Sequence, residues 1–444
     1  MSAVAAFPLK SDPVLDAVSF FEYCRSPFPV KKEKRNSAKS KDKGEVCYTA
    51  YRFRGYPDKE QAYRLSMFCG STRFLWNRMV FDRKADLEAG RFPEIHKPAY
   101  YKKQEGMEWL SEMDSYALCN VQLDFESAVS DAKSNGNGKG YPRPHKKHKR
   151  ADSYTTNRDS RCNNVSFDGK FLVLPKIPGK VRIMAHRNIK PGGMLKKCTV
   201  IHEPDGNWYF SLLYEYPEEE FKFCPGIEEF LATGDIDAIR HTGLDMSLPS
   251  LFVMPDGSTP AYVNDGVTIA FEKQYRKLEG RIAREQQKLS HMQKDSSNYS
   301  KQLRKIAKLH AKAKHQRNDF LHQVSRRLVG SFDIISIEDL DIAGMKKALK
   351  FGKSVSDNGW SCFVGMLQYK ANASGKLVIK INKWFPSTKT CSCCGHVHKE
   401  ITLSDRTYIC PACGNITGRD EQAAGNIDLE GLREFAEAYK AFAA

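Results

Sequence analysis

Two cysteine pairs and three scattered acids are the residues of this chain whose types and spacing could do chemistry. Cys391-x2-Cys394 is followed by Gly395 and Cys410-x2-Cys413 by Gly414, with fifteen residues between Cys394 and Cys410. Two residues between thiols suit the tight turn of a metal knuckle, and the trailing glycine relieves its backbone. Four thiolates fill a tetrahedral shell, so the expected ion is a structural Zn2+. Cys393, His396 and His398 compete for ligation, but only Cys391 and Cys394 reproduce the spacing and trailing Gly of the second pair. The acids are Asp245, Glu338 and Asp420. Carboxylates that converge at one end of a mixed sheet suit two Mg2+ (or Mn2+) ions, which clamp the attacking and leaving oxygens of a phosphodiester. Taken singly, such an acid is more often a cap or a salt-bridge partner. The specific feature is their order, separated by a long basic stretch and by the cysteine cluster.

The elements that must position these groups can be read around them. Asp245 follows a strand pattern at Arg240–Leu244, and Glu338 ends the β-branched run Ile334–Ile337. Asp420 opens a helix just beyond the knuckles. Leu251–Met254 and Ala261–Val263 read as strands, with Asp256-Gly257 turning between them. A helical stretch is expected from about Thr268 to Val329, broken near Asp295–Asn298. Its buried stripe would be Leu303, Ile306, Ala313, Phe320, Val324 and Leu328. Residues 272–327 carry 16 Lys/Arg and 5 Asp/Glu, a net +11. Charge of that density favours phosphate contact over a merely solvated face.

Upstream, Tyr51-Arg52-Phe53-Arg54 alternates as a half-buried strand does, with both arginines on one face. Pro57 and Asp58 open a helix carrying Leu65, Phe68, Cys69, Phe74, Leu75, Met79 and Val80 at helical spacing. A second helix is expected from about Ser115 to Ala132, ended by a loop at Asn135–Gly140. Residues 139–150 form a basic, proline-interrupted stretch that includes Lys146 and Lys147. Short strands follow at Phe171–Leu174, Val181–Met184, Lys197–His202 and Trp208–Tyr214, the last two joined by the turn Pro204–Asn207. Trp76 and Phe74 read as core. Residues 1–45 read as a basic, poorly ordered extension.

Composition bounds the reading. The 444 residues carry 70 Lys+Arg against 53 Asp+Glu, a net charge of +17, which points to a polyanionic partner. With 41% hydrophobic residues the chain can build a sizeable core. No apolar run reaches membrane-spanning length, which excludes a transmembrane enzyme, and no secretory signal is expected at the N-terminus. The 13 cysteines are odd in number and clustered, as in a metal site of a reducing compartment rather than a disulfide ladder. A cytoplasmic, nucleic-acid-associated protein is the expectation.

Several segments together resemble the TnpB proteins of bacterial insertion sequences, relatives of the compact type V CRISPR effectors. They are Tyr51–Pro57, Cys69–Asn77, Gly243-Leu244-Asp245, Ile337–Leu340, Trp384–Cys391, and Arg419-Asp420 with Ala423-Ala424 and Asn426-Ile427. The resemblance runs from about Val46 to the C-terminus. It departs from the family pattern at Ser247, where Gly is frequent, and at Gly418-Arg419-Asp420, where Asp-Arg-Asp is frequent. Neither departure removes an acid.

The resemblance implies an α+β multidomain fold. A wedge-like β-barrel at 46–236, with a helical recognition insert near 58–150, would precede a RuvC-like nuclease domain of RNase H topology at 237–444. The zinc ribbon would be inserted at about 386–417. It also implies an enzyme that binds a guide RNA and cleaves complementary double-stranded DNA beside a short adjacent motif, without a membrane, in a bacterial cytoplasm near the nucleoid. Asp245, Glu338 and Asp420 would be its catalytic, Mg2+-binding acids. Arg52, Arg54, Arg73, Asn77, Arg78, Lys146 and Lys147 would be contacts to RNA or DNA. Arg406 in the ribbon could reach the scissile phosphate or stand as a solvated hairpin tip. Two other readings stay open: a nuclease-inactive guided repressor or transposition regulator, and a structure-selective nuclease needing no RNA.

Overall fold

The computed structural model describes residues 46–134, 141–146, 151–217, 222–247, 250–264, 267–270, 274–294, 296–340, 359–402 and 405–443. The basic extension at 1–45, the loop at 135–140, the acidic Glu218–Glu220 and Lys147 lie outside them. The chain forms two compact units. One comprises residues 39–219 with 285–309; the other holds residues 220–284 and 310–444.

The first unit is built on β1 (Val46–Tyr56), α1 (Lys59–Glu88) and α2 (Ser115–Ser134). Strands β2 (Asp152–Asn157), β3 (Ser166–Phe167), β4 (Phe171–Val173), β5 (Val181–Met184), β6 (Met194–His202) and β7 (Trp208–Pro217) follow. The strands form one antiparallel sheet in the order β2-β6-β7-β1-β5-β4-β3. Among the described residues its terminal strands β2 and β3 are not hydrogen-bonded to each other; a barrel was the expectation. Alternation drives the sheet as anticipated: Tyr51 and Phe53 are buried while Arg52 and Arg54 face solvent. Gly55 belongs to the buried face because a Cβ there would stand 2.3 Å from the Phe210 ring. Asp58 is the N-cap of α1, accepting from Gln61 N at 2.8 Å, and Gln61 Oε1 accepts in return from Asp58 N. The helices cover the sheet through Leu65, Phe68, Leu75, Leu118 and Phe125. Phe74 departs from expectation, 38% exposed with its ring beside that of Trp109. Trp76 is partly buried against the core.

The second unit contains α3 (Pro225–Thr233), β8 (His241–Leu244), β9 (Ala261–Asn264) and β10 (Val267–Ala270). Next come α4 (Gln274–Ser290) and α5 (Ser297–Ser331), whose tip groups with the first unit. Then follow β11 (Ile334–Glu338), α6 (Trp360–Ala373), β12 (Leu377–Ile381), β13 (Thr407–Ile409), β14 (Ile416–Gly418) and α7 (Arg419–Ala443). The β9–β10 hairpin replaces the first turn of the expected long helix, because Val267-Thr268-Ile269 is β-branched and pairs with 262–264. The expected strand at Leu251–Met254 is reduced to one bridge, Val253 to Asp245. Leu303, expected in the buried stripe, is 44% exposed; Ile306 is buried as expected, and Leu309 is buried in addition.

Strands β12, β11 and β8 are parallel, in that order. Ile335 and Ile337 face a core made with Phe320, Leu321, Val324, Trp360, Phe363 and Leu367. On the opposite face, Ile334 and Leu377 meet Ile227 and Phe230 of α3 and Phe435 of α7. The segment 222–236, expected with the N-terminal part, therefore packs here. Helix α7 crosses the strands closely: a Cβ on Gly243 would lie 2.1 Å from Ala424 O, and one on Gly431 1.9 Å from Ser336 Oγ. Among the described residues no helix is long and apolar enough to cross a membrane.

Candidate functional site

The parallel sheet and α7 place the three acids. Ile337 is level with Leu244 in the β8–β11 pairing, so the next residues, Asp245 and Glu338, leave the strands side by side. The Asp245 main chain is tied to Val253 by two hydrogen bonds of 2.8 and 3.0 Å. Asp420 lies in the first turn of α7, where a carboxylate complements the helix dipole. Burial pushes the Asp245 carboxyl up to about 7; the charges of Glu338 and Asp420 add to the rise and Arg419 opposes it. The three acids thus share one electrostatic environment, though they are not gathered as tightly as the cysteines.

Each of the other two acids has one oxygen engaged. Ser387 Oγ donates to Glu338 Oε1 at 2.6 Å. Arg419, nearly buried, donates through Nε and Nη2 to Asp420 Oδ1 at 2.9 and 2.7 Å. Arg406 reaches Asp420 Oδ2 at 3.8 Å and remains 72% exposed in its side chain. It is therefore both exposed and beside one of the three acids.

The four cysteines also come together. Their sulfurs lie within 4.8 Å of one another, with Cys391–Cys413 at 3.7 Å and Cys394–Cys410 at 3.6 Å. A tetrahedron with Zn–S bonds of about 2.3 Å has edges near 3.8 Å, so the donor set fits zinc. Gly395 and Gly414 both adopt φ of 72°, and their amides donate to Cys391 O and Cys410 O at 2.9 Å. The knuckles are near copies, as the repeated glycine anticipated. The ribbon joins the acids through α7: Asn426 Nδ2 donates to Ser387 O and Thr390 O, each at 2.7 Å, and Gln422 Nε2 to Thr390 O at 2.8 Å. Ser387, Asn426 and Gln422 were not singled out from the sequence. The one available signal was that Ser387 and Asn426 fall inside segments carrying the family resemblance.

The other candidates are dispersed over the first unit. Arg52 pairs with Glu203 at 2.8 Å and lies over the Tyr209 ring; Arg54 donates to Asn207 Oδ1. Arg73 is held by Asp152, and Arg78 pairs with Asp82. Asn77 clamps the His145 backbone at 2.7 and 3.0 Å. Lys146 is exposed.

Fold and site define an α+β protein with carboxylates at the C-terminal ends of parallel strands and an attached four-cysteine ribbon. Comparison narrows this class. Residues 237–349 match a family described as probable transposase, 360–427 the Cas12f1-like TNB domain, and 47–91 a helix-turn-helix domain of the first family. In this chain the last stretch is β1 and the single helix α1. A Streptomyces pristinaespiralis protein named "Putative RNA-guided DNA endonuclease" is 30% identical over 390 residues, covering 86% of this chain and 89% of that one. An Escherichia coli K12 protein of similar name, InsQ, is 27% identical over 85% of this chain and 91% of its own length. The chain belongs to the TnpB family. Against solved structures it aligns with a Cas12f1–sgRNA–target DNA complex at 10% identity and a TM-score of 0.48, over 84% of this chain and 83% of that one. That likeness adds nothing to the family assignment.

Proposed function

We propose that the chain is an RNA-guided DNA endonuclease that hydrolyses phosphodiesters of guide-matched double-stranded DNA beside a short adjacent motif. The observation that carries this reading is that Asp245 and Glu338 leave paired parallel strands side by side, with the charges of Glu338 and Asp420 both acting on the buried Asp245 carboxyl. The names of relatives aligned over most of the chain point the same way. Asp245, Glu338 and Asp420 would hold Mg2+ (or Mn2+), which supplies an activated water and neutralises charge on the leaving 3′ oxygen. The protein's part is positioning. Ser387 engages one oxygen of Glu338 and leaves Oε2 for a cation; Arg419 does the same for Asp420. Arg406, beside Asp420 and exposed, is placed to hold a phosphate oxygen. Asp245 must give up its proton before it can ligate, which couples the reaction to pH.

In this reading the zinc ribbon is structural, and RuvC-like chemistry resides in 237–444. The sheet and helices of 46–217 hold the guide and the adjacent motif, with Arg52, Arg54 and Lys146 among the accessible cations. Sequence choice falls to base pairing, and the protein grips the hybrid by its backbone. The test is to purify the chain, sequence co-purifying RNA, and offer matched DNA with Mg2+. The expected outcome is a discrete RNA and guided cutting, with Asp245→Ala abolishing cutting but not target binding. Guided binding without cutting by the wild-type chain would make it a repressor, and cutting without RNA a structure-selective nuclease.

A further inference from the structure

The loop after β12 leaves Glu338 and returns to it. Ile381 is the register partner of Glu338, and Ser387 comes back to donate to the same carboxylate. Trp384 is the midpoint of this arch and is 83% exposed. It is three residues from either anchor, so its Cα lies within about 11 Å of both, at a limit of roughly 3.6 Å per residue. The loop is held in place. Trp384 N donates to Asn382 Oδ1 at 2.9 Å, Phe385 N to Asn382 O at 3.0 Å, and Asn382 N to Glu434 Oε1 of α7 at 2.9 Å. Lys383 Nζ stands 5.5 Å from the indole centroid.

An indole kept in solvent by an anchored turn, with an ammonium at its face, lacks a packing role within the described residues. Its chemistry suits a nucleobase: aromatic faces stack on unpaired bases, and a nearby cation meets the adjoining phosphate. A paired base has both faces covered within its duplex and cannot lie on the ring. We propose that Trp384, with Lys383, is a stacking platform for an unpaired base of the DNA strand being cut, setting a phosphate one or two nucleotides away at the acids. This rests on the proposed nuclease reading and adds a residue that makes the site prefer single strands. Arg406 stands 3.8 Å from Asp420 and is exposed, so its guanidinium is available to a phosphate of the same strand.

The test uses the full chain with its guide RNA and matched DNA carrying 2-aminopurine near the cut. Wild type should quench the probe, whereas Trp384→Ala should leave it bright. Cleavage at subsaturating DNA should fall roughly ten- to hundredfold in Trp384→Ala, the scale of losing one base–aromatic stack, and far less in Trp384→Phe. Because the side chain is exposed, the melting temperature should not change, which separates this loss from misfolding. Equal quenching and cutting by Trp384→Ala would overturn the proposal. So would normal cutting with loss of self-association, which would make the indole a protein contact. If wild type cuts nothing, the nuclease reading fails; oligo-dT titrated into the chain would still decide the platform, through Trp fluorescence lost in Trp384→Phe.

Discussion

Asp245→Asn should make the metal-free protein more stable while removing its activity. The carboxyl is raised from an ordinary 3.8 to about 7, first by burial and then by Glu338 and Asp420. A carboxyl with a raised folded-state value penalises the folded chain once it ionises. The cost is absent below pH 3.8, grows as pH rises, and levels off above 7. Linkage puts it at about 2 kcal/mol at pH 5 and about 4 kcal/mol at pH 8, both ceilings because entering water relieves part of the strain. The amide has nearly the same shape and no charge, so it should recover a good share of this. At about 2–4 °C per kcal/mol, that is on the order of 5 °C or more in melting temperature at pH 8, and less at pH 5. Trp360 is a suitable reporter: it is buried beside the site, and its Nε1 donates to Leu251 O at 3.1 Å. Saturating Mg2+ should stabilise wild type by about 3 kcal/mol at a hundredfold excess over its dissociation constant, and the variant much less. Asp245→Asn melting lower than wild type at pH 8 without metal, or an effect identical at the two pH values, would refute the argument.

Gly431→Ala should destabilise by at least about 2 kcal/mol in denaturant melts, since its methyl would sit 1.9 Å from Ser336 Oγ and push α7 off β11. Cys410→Ser should drop zinc from one equivalent per chain to a small fraction by elemental analysis, because a three-thiolate shell is left open. Ser387→Ala should raise the Mg2+ concentration for half-maximal cutting and slow cutting about tenfold, the scale of a lost charge-assisted hydrogen bond, while Ser387→Thr should retain most activity.

How much of this was legible depended on whether a signal was local. The strand before Asp245, the run before Glu338 and the repeated knuckles were visible because each carries its pattern within a few residues. β2 was missed because Asp152–Asn157 is polar throughout; only Tyr154 and Thr156 turn inward. Leu303 was misplaced because the tip of α4 and α5 is closed by a polar cluster. Gln302 is buried there and donates to Glu285 at 2.7 Å, and Lys305 pairs with Glu285 at 2.9 Å. The partners that hold Arg73 and Asn77, Asp152 and His145, were not legible because they lie 79 and 68 residues further along the chain.

The alignment of Asp245 with Glu338 has a cause that no local pattern could show. Arg240, Asp333 and Lys376 each stand one residue before β8, β11 and β12. Arg240 forks onto Asp333 at 2.8 and 3.0 Å, and Lys376 meets it at 3.1 Å while also capping α5 at Val329 O and Phe332 O. Burial pushes the Asp333 carboxyl up, but these bonds outweigh it and leave it at about 2. Buried ion clusters are weak sources of net stability, and their best-attested use is to specify register. A parallel pair has no hairpin to set its register, and a slip of one residue would invert every side chain. Here both acids follow their ion partners by five residues, as Ile381 follows Lys376. Starting the three strands level at the charged end therefore brings Asp245 beside Glu338 at the other, with the loop to Trp384 and Ser387 starting from the same line. Losing the Arg240–Asp333 pairing would misalign the acids without touching either one.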